Sequence, residues 1–240
     1  MIILALETAT RAGSTAVLED GRLLGCSAGD PSRPHASRLP GDLLSLLDTQ
    51  KLRLADVDLL AVCLGPGAFT GLRVGIAAMQ GLAFANGRSI LGVSALDALA
   101  MAAGRDGTPG GIGVWIDATR KEVFAARYER AATALGIEVS DPAVAAPPQT
   151  VLERWRMRGT TVERWIGDGA LAYLDLIRQE APDVDVMPGP LLAPLIGEAA
   201  WRLGGLAAAG PPHALRPMYV RRPDAEIARD RRESEARSAQ

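Results

Sequence analysis

The sequence has few of the residues that usually hold metal ions or form disulfides. Its 240 residues include two histidines and two cysteines. His35 and His213 share no motif, so neither a His-x-x-x-His metal pair nor a Ser-His-Asp triad has support, and both are predicted to lie at the surface. Cys26 and Cys63 each lie in an apolar run without a Cys or His nearby, which predicts buried structural thiols rather than a disulfide or a metal site.

An excess of charge of one sign and a long hydrophobic run are also missing. The 26 basic and 28 acidic residues give a net charge of −2, so the basic excess typical of autonomous nucleic-acid binding is absent. No stretch approaches the roughly 18 apolar residues of a membrane span. The N-terminal run MIILALE has no basic residue before it and ends at the acidic Glu7. These absences predict a soluble, cytoplasmic protein with no membrane partner.

Apolar residues make up 48% of the chain, which is enough for a large core and excludes disorder over most of its length. The hydrophobic pattern predicts two similar halves, each with the order three strands, helix, strand, helix, strand, helix. The predicted strands are residues 2–6, 14–19, 22–28, 59–64, 90–93, 114–117, 123–128, 135–139, 162–166 and 184–187. Four predicted helices are residues 36–47, 70–87, 170–180 and 193–208. A fifth is capped by Ser94 and Asp97 and ends near residue 103, and a sixth is capped by Thr150 and Glu153. A duplicated α/β architecture follows.

Glycine, proline and charge mark the predicted domain boundaries. Residues 104–113 (GRDGTPGGIG) are predicted to be a hinge between a subdomain of residues 1–103 and a subdomain of residues 114–220. Residues 142–148 are predicted to be a proline-rich linker. Residues 221–240 are dense in charge and cannot bury a core, so they are predicted to be a flexible tail or an arm that orders on a partner.

The most informative segment is GPGAFTGLRVG at residues 65–75, which joins a predicted strand to a predicted helix. A glycine-rich turn before a helix presents free N–H groups and the positive end of the helix dipole to an anion. The segment departs from a Walker loop because no Lys-Ser or Lys-Thr pair follows Gly71, and from the dinucleotide fingerprint because Thr70 stands where glycine is needed. Phosphate binding and a tight structural turn both remain open.

Polar residues follow several predicted strands. Glu7, Thr8 and Thr10 end the first strand, where a carboxylate could hold a metal-bound water and hydroxyls could contact phosphate. A plain hairpin turn is the alternative. Asp117 and Asp168 occupy comparable positions in the second half. Because ligands of open α/β sheets gather at strand ends, these positions predict one cleft.

Small residues recur at helical spacing along the predicted helix 70–87. They are Gly71, Gly75, Ala78, Gly81 and Ala85. A glycine inside a helix costs on the order of 1 kcal/mol relative to alanine, so the repetition predicts close approach by another element. That element is either part of the same domain or a helix of a second chain.

Several segments resemble, in order and spacing, the bacterial TsaB family, which is also called YeaZ. They are MIILALETAT with the following Asp20-Gly21 hairpin, LGPGAFTGLRVGIAAMQGLA, GVSALDALA, WIDATRKEVFAARY and PMYVRR. The resemblance runs from residue 1 to residue 222. It implies the fold of actin, Hsp70 and the sugar kinases (ASKHA), an α/β fold with two subdomains that each contain a mixed sheet flanked by helices.

The resemblance also implies a function. Members of that family are dimerisation partners of TsaD, the catalytic subunit that transfers a threonylcarbamoyl group to adenosine in the anticodon loop of tRNA, and the ATPase TsaE joins the complex. This chain would then be a non-catalytic scaffold that activates TsaD, contacts tRNA through the complex and forms a homodimer in isolation. It would need no cofactor, with room for ATP or ADP at the interface with TsaD. TsaD carries a metal-binding histidine pair that this sequence lacks.

The resemblance assigns two groups of residues. Helices 36–47 and 70–87 would pack against the same pair in a partner as a four-helix bundle, with interface residues Leu39, Leu43, Leu46, Val74, Ala78, Gly81 and Leu82. A weak nucleotide cleft would comprise Glu7, Thr8, Thr10, Gly65, Gly67, Thr70, Gly71 and Asp117. Glu7 stands where many members carry aspartate, which weakens the case for independent nucleotide hydrolysis.

Two other functions are alternatives to the scaffold role. An autonomous ATPase or phosphotransferase of the same fold would use the cleft residues around ATP. A metallopeptidase would need histidine ligands, which the sequence does not supply.

Overall fold

The computed structural model describes residues 1–107 and 109–221. Five strands of the first half form a mixed sheet: β1 (Ile2–Glu7), β2 (Ser14–Glu19), β3 (Arg22–Ala28), β4 (Leu59–Gly65) and β5 (Ser89–Ser94). Their order is β3-β2-β1-β4-β5, with β1 antiparallel to β2 and parallel to β4. Ile3 and Ala5 face one core while Leu4 and Leu6 face another, which explains why β1 is apolar throughout.

Five strands of the second half repeat this arrangement. They are β6 (Ile112–Asp117), β7 (Val123–Arg130), β8 (Ile137–Ala146), β9 (Arg164–Ile166) and β10 (Asp185–Met187). Their order is β10-β9-β6-β7-β8, with β6 antiparallel to β7 and parallel to β9. The predicted duplication and the two mixed sheets flanked by helices are therefore confirmed.

Helices cover both sheets. The α-helices in the described residues are α1 (His35–Thr49), α2 (Phe69–Ala85), α3 (Ala95–Ala103), α4 (Pro148–Met157), α5 (Asp168–Ala172), α6 (Leu174–Glu180) and α7 (Leu192–Arg202). Short 3-10 helices occupy Leu54–Asp56, Gly205–Ala207 and Pro212–Ala214. The pair α1 and α2 covers one face of the first sheet, α3 and α7 lie between the sheets, and α4 to α6 cover the outer face of the second.

The largest hydrophobic core lies between the two sheets. Leu18 comes from the first sheet, Val114 and Tyr128 from the second, and Ile196 from α7. A helix late in the chain thus packs on the first sheet, against β1, β2 and β4. The division into residues 1–103 and 114–220 with a hinge at 104–113 stays a prediction.

Several predicted helix boundaries are wrong. Helix α4 begins at Pro148, whose fixed φ suits a first helical position, so Thr150 and Glu153 lie inside the helix and do not cap it. The single helix predicted for residues 170–180 is divided at Tyr173 into α5 and α6. The last helix ends at Arg202, just before a left-handed glycine, instead of continuing to residue 208. The Ser94 cap of α3 is confirmed, since its side chain accepts from the Asp97 N–H.

The predicted linker at residues 142–148 is wrong for all but residue 147, because α4 already begins at Pro148. Strand β8 continues through Pro142 to Ala146. Because β8 is at the edge of its sheet, a residue without an N–H is tolerated there.

Some predictions for single residues are confirmed and others are wrong. Cys63 is buried as predicted, but Cys26 is exposed because β3 is an edge strand. His213 is exposed as predicted, whereas His35 is half-buried. The predicted charged tail lies outside the described residues, apart from Arg221. In the described part of the chain, every helix is too short or too polar to cross a bilayer.

Candidate functional site

A cleft of about 1130 Å³ lies between the two halves, at the ends of β1, β4 and β6. Its walls come from the β1–β2 turn, the turn before α2, the β6–β7 turn, the start of α5 and residues 218–221. The structure thus brings together polar strand ends that are distant in the sequence.

The eight residues predicted to bind nucleotide divide into two groups. Five line the cleft: Thr10, Gly67, Thr70, Gly71 and Asp117. The other three, Glu7, Thr8 and Gly65, are buried behind its wall. Nucleotide binding by either group stays a prediction.

Glu7 is 1% exposed, and its carboxylate turns back onto the β1–β2 turn. The Thr10 N–H donates to Oε1 at 2.5 Å, while the Thr10 and Ser14 hydroxyls each donate to Oε2 at 3.1 Å. The Ser14 hydroxyl also accepts from the Ala193 N–H at 3.0 Å, at the start of α7. Burial raises the pKa of Glu7, and these hydrogen bonds oppose that rise. The carboxylate therefore joins the turn to α7 and is not presented to the cleft.

The glycines at the start of α2 allow close contact with the β1–β2 turn. A Cβ at Gly71 would lie 2.1 Å from the Thr8 carbonyl oxygen, and one at Gly75 would lie 2.0 Å from the Thr8 Oγ1. The Ala68 N–H donates to the Ala9 carbonyl at 2.8 Å. Close packing within the chain thus accounts for these glycines. The first turn of α2 has no side-chain cap and faces the cleft, so its N–H groups keep the phosphate interpretation open.

Two side chains of α1 hold the β1–β2 turn, and sequence reasoning missed both. The His35 Nε2 lies 3.1 Å from the Thr10 carbonyl, and its Nδ1 lies 2.8 Å from the Arg38 guanidinium. Arg38 is 4% exposed, donates to the Ala12 carbonyl and pairs with Asp42. Burial and the Arg38 charge lower the pKa of His35, which indicates a neutral ring that donates through Nε2. The sequence feature that could have predicted this contact is the spacing of residues 35, 38 and 42, which places them on one face of a helix.

The second-half wall of the cleft is built around two aspartates. The Asp168 Oδ1 accepts from the Asp117 N–H at 2.9 Å and from the Gly169 N–H at 2.8 Å. The Asp117 Oδ1 accepts from the Thr119 N–H at 2.8 Å. Both carboxylates thus stabilise backbone turns. Among residues 1–107 and 109–221, no three His, Cys, Asp or Glu residues are grouped so that they could hold a metal ion.

The predicted interface residues also divide. Leu39, Leu43 and Leu46 are only 1%, 3% and 6% exposed and lie in the core between α1, α2 and the first sheet. The apolar stripe of α1 thus faces its own sheet. The remaining four are on α2, where Gly81 is exposed and the other three, Val74, Ala78 and Leu82, are half-buried. Their contact with a partner stays a prediction.

The neighbouring helices α1 and α2 each expose apolar and small residues, which together we call the helix-pair surface. Leu44 is 53% exposed and Phe84 is 85% exposed. A Cβ at Gly41 or Gly81 would meet no atom of residues 1–107 or 109–221 within 4 Å. The helix-pair surface comprises Pro40, Gly41, Leu44, Ala77, Gly81 and Phe84. Sequence reasoning found Gly81 and missed Leu44 and Phe84, because one exposed leucine or phenylalanine does not break a helical pattern.

Comparisons with known proteins place the chain in a family. The profile of the family described as "TsaD: tRNA N6-adenosine threonylcarbamoyltransferase" matches residues 29–167. The tRNA threonylcarbamoyladenosine biosynthesis protein TsaB of Escherichia coli is 36% identical over 177 residues, covering 73% of this chain and 75% of that protein. This chain belongs to the TsaB family.

Other proteins match over nearly the whole chain. An uncharacterized protein of Mycobacterium tuberculosis is 32% identical over 243 residues, with 93% of each chain covered. The structure of YeaZ from Pseudomonas aeruginosa superposes with a TM-score of 0.72 at 29% identity, covering 91% of this chain and 99% of that one. A second Pseudomonas aeruginosa structure, described as similar to peptidase YEAZ, gives 0.73 at 32% identity, with 92% and 99% covered. The TsaB fold implied by the sequence motifs is therefore confirmed.

Proposed function

We propose that this chain is the non-catalytic scaffold of a tRNA-modifying complex. It binds a transferase of the TsaD type and holds it in the conformation that transfers a threonylcarbamoyl group to adenosine in the tRNA anticodon loop. The names of the TsaB relatives and the matching family profile support this pathway. The observation that carries the scaffold role is the exposed helix-pair surface. Since the substrate is tRNA, the proposal includes a cytoplasmic location.

The helix-pair surface has the properties of a helix-docking site. Phe84 and Leu44 offer apolar area that is exposed to water in the isolated chain. Gly41 and Gly81 leave open space beside them, so two further helices can approach closely and form a four-helix bundle. Leu39, Leu43 and Leu46 fix α1 to the sheet beneath, which keeps the surface rigid.

The same surface serves a second copy of the chain when TsaD is absent. The TsaD profile matches residues 29–167, which include both α1 and α2, so a TsaD-type partner carries a related helix pair. Like surfaces pack on like around a two-fold axis, and a related partner can replace one copy. We therefore propose a homodimer in isolation, a heterodimer with TsaD, and TsaE as a further component of the complex.

The scaffold needs no cofactor of its own. The enclosed position of Glu7 supports this, because hydrogen bonds from Thr10 and Ser14 already engage the carboxylate at the end of β1. ATP or ADP, where the complex holds it, is proposed to lie at the interface with TsaD.

The exposed Asp117 and the lining residues Thr10 and Thr70 favour the second candidate function, an autonomous ATPase or phosphotransferase.

Reconstitution tests the proposal. Threonylcarbamoyl-adenylate and tRNA are supplied to this chain alone, to TsaD with TsaE, and to all three proteins, and modified adenosine is measured. Activity is expected when this chain joins TsaD. Turnover by this chain alone, or full activity without it, would overturn the scaffold role.

The helix-pair surface is tested with two exposed side chains of equal accessibility. Phe84 on α2 and Met157 at the end of α4 are each 85% exposed. Phe84→Glu is expected to weaken binding to TsaD and to a second copy by at least about 30-fold, as removal of a central apolar contact does. Met157→Glu is expected to leave both affinities unchanged. Binding that survives Phe84→Glu would place the interface elsewhere.

The autonomous enzyme is tested at the cleft. Thr10→Ala with Asp117→Ala removes two polar lining groups. If the chain hydrolyses ATP by itself, this variant should lose that hydrolysis. If modification by the reconstituted complex persists in the variant, these groups are not catalytic.

A further inference from the structure

The C-terminal strap, defined as residues 217–221, crosses the mouth of the cleft from the first half to the second. It follows the 3-10 helix Pro212–Ala214, and the Gln80 side chain of α2 donates to the Pro212 carbonyl at 2.6 Å and thereby anchors that helix. The Met218 N–H then donates to the Leu64 carbonyl at 2.7 Å, near the end of β4. The strap therefore begins on the wall that the first half contributes.

Tyr219 fixes the strap to the start of α2. Its hydroxyl accepts from the Arg73 Nε at 2.7 Å, and its ring lies 5.2 Å from the Phe69 ring between centroids. The Arg73 guanidinium also lies over the Phe69 ring at 4.0 Å. A cation and two rings in mutual contact form a directional anchor, because each contact restricts the orientation of the others.

Arg221 fixes the strap to the other wall. Its Nη1 donates to the Ala118 carbonyl at 3.0 Å, and its Nη2 pairs with the Glu122 carboxylate. Its guanidinium carbon lies 5.6 Å from the centroid of the Phe124 ring. The strap thus contacts α2 at Tyr219 and the β6–β7 turn at Arg221, two positions later in the chain.

The β6–β7 turn has an unusual backbone. Thr119, Arg120 and Lys121 all have positive φ angles, between 54° and 62°. Non-glycine residues rarely adopt this region, and consecutive ones persist only when surrounding contacts hold them. The turn is closed by the Ala118 N–H to the Glu122 carbonyl and by the Glu122 N–H to the Thr119 carbonyl. Arg221 binds Ala118 and Glu122, the residues on either side of the three.

We propose that the C-terminal strap is a conformational clamp, in which Tyr219 and Arg221 tie the start of α2 to the β6–β7 turn and set the width of the cleft mouth. Arg221 acts as a positioning residue for the turn. Release of Arg221 lets the turn move away from α2 while the shared core keeps the sheets together. The clamp goes beyond the scaffold function, since it would operate in the isolated chain.

Amide hydrogen exchange of the full chain tests the clamp. Arg221→Ala is expected to speed exchange of the Glu122 amide by about tenfold or more through local opening of the turn, while the amides of β1 keep their rates. Arg216→Ala is the matched control, because within the described residues this exposed arginine donates to carbonyls of its own segment, His213 and Leu215. Unchanged exchange in Arg221→Ala, or equal effects in both variants, would overturn the clamp.

A distance across the mouth provides a second readout. Spin labels are placed at Ser32→Cys and Lys121→Cys, in a Cys26→Ser background, because both residues are exposed. Ser32 lines the cleft in the first half, and Lys121 belongs to the β6–β7 turn of the second half. Cys63 is fully buried and does not compete for the label. The distance distribution is expected to be narrow with the intact strap, and to lengthen or broaden when Tyr219→Ala and Arg221→Ala are combined. A distribution identical to that of the intact strap would overturn the clamp, whatever the exchange rates.

Discussion

At the scale of single residues, Glu7 shows how a side chain at the end of a strand can serve the fold. Its carboxylate is enclosed by hydrogen bonds from Thr10 and Ser14, and Ser14 in turn holds the start of α7. The glutamate side chain is one methylene longer than that of aspartate, and its carboxylate folds back onto the turn. The carboxylate at the end of β1 is therefore part of the structure behind the cleft wall and is not a group exposed in the cleft.

The raised pKa of Glu7 predicts a pH-dependent stability. Because the folded pKa lies above the ordinary value of 4.5, the folded chain binds this proton more tightly than the unfolded chain. The stabilisation is complete below pH 4.5 and is lost as the pH rises through the folded pKa. Relative to Glu7→Gln, the free energy of unfolding should fall by about 1.4 kcal/mol for each unit by which the folded pKa exceeds the unfolded one.

Urea denaturation from pH 4 to pH 8 measures this difference. Glu138→Gln, on the exposed side of β8, controls for the loss of one carboxylate. A difference between the native chain and Glu7→Gln that rises with pH would contradict the assignment of burial as the dominant cause.

At the scale of elements, local turn chemistry decided which boundaries the sequence could predict. The hairpin strands Ser14–Glu19 and Arg22–Ala28 were predicted to the residue, because Asp20 and Gly21 adopt the positive φ angles that a two-residue turn requires. The extension of β8 through Pro142 could not be predicted, since it depends on pairing with β7 at a sheet edge.

The candidate site was predictable only as far as strand ends reveal it. Thr10 and Asp117 were predicted because Thr10 follows a buried strand and Asp117 ends one. The burial of Glu7 depends on α7, which begins almost at the other end of the chain. Likewise, the sequence predicts a surface position for His35, and only the packing of α1 on the β1–β2 turn shows its contact with Thr10. Contacts between distant segments carry the information that local patterns lack.

Helix α2 contains glycines with two different roles, and substitution by alanine separates them. Gly71→Ala would place a Cβ 2.1 Å from the backbone oxygen of Thr8, so the helix must shift. We expect a loss of about 2 kcal/mol or more in the free energy of unfolding. Gly81→Ala meets open space and should stabilise the chain by up to about 1 kcal/mol through helix propensity. Urea denaturation measures the free energy of unfolding of both variants. Equal effects would contradict the assignment of different roles to Gly71 and Gly81.

Helix α4 is fixed to the edge strand β8 through Asp141, which is 2% exposed. Its carboxylate accepts from Arg154 at 2.6 Å and from the Trp155 indole N–H at 2.8 Å, and it pairs with Arg158. Asp141→Ala should lower the free energy of unfolding by about 3 kcal/mol, because it leaves buried donors without their acceptor. Arg158→Ala should lower it by less than about 1 kcal/mol, since that side chain is half exposed. Thermal or urea unfolding that ranks the two in the opposite order would refute this role.

At the scale of the whole molecule, one core joins what the sequence divides into two halves. Leu18 of β2 and Tyr128 of β7 belong to the same cluster, and α7 returns from the end of the chain to pack on the first sheet. Tyr128 also donates to the Asp97 carboxylate of α3 at 2.6 Å. The cleft opens at one end of this shared core, so its walls are turns and helix ends carried on a common base.

A shared core predicts that both halves unfold together. Trp115, Trp155 and Trp165 lie in the second half, and Trp201→Phe removes the fourth tryptophan, which packs on the β2–β3 turn. In that background, Leu18→Ala in the first sheet should lower the stability reported by fluorescence by about 3 kcal/mol, as a buried leucine truncation does. Circular dichroism should give the same midpoint, since one cooperative unit has one transition. If fluorescence kept its midpoint while circular dichroism divided into two steps, the halves would be independent folding units, and the boundary at residues 104–113 would be a true domain boundary.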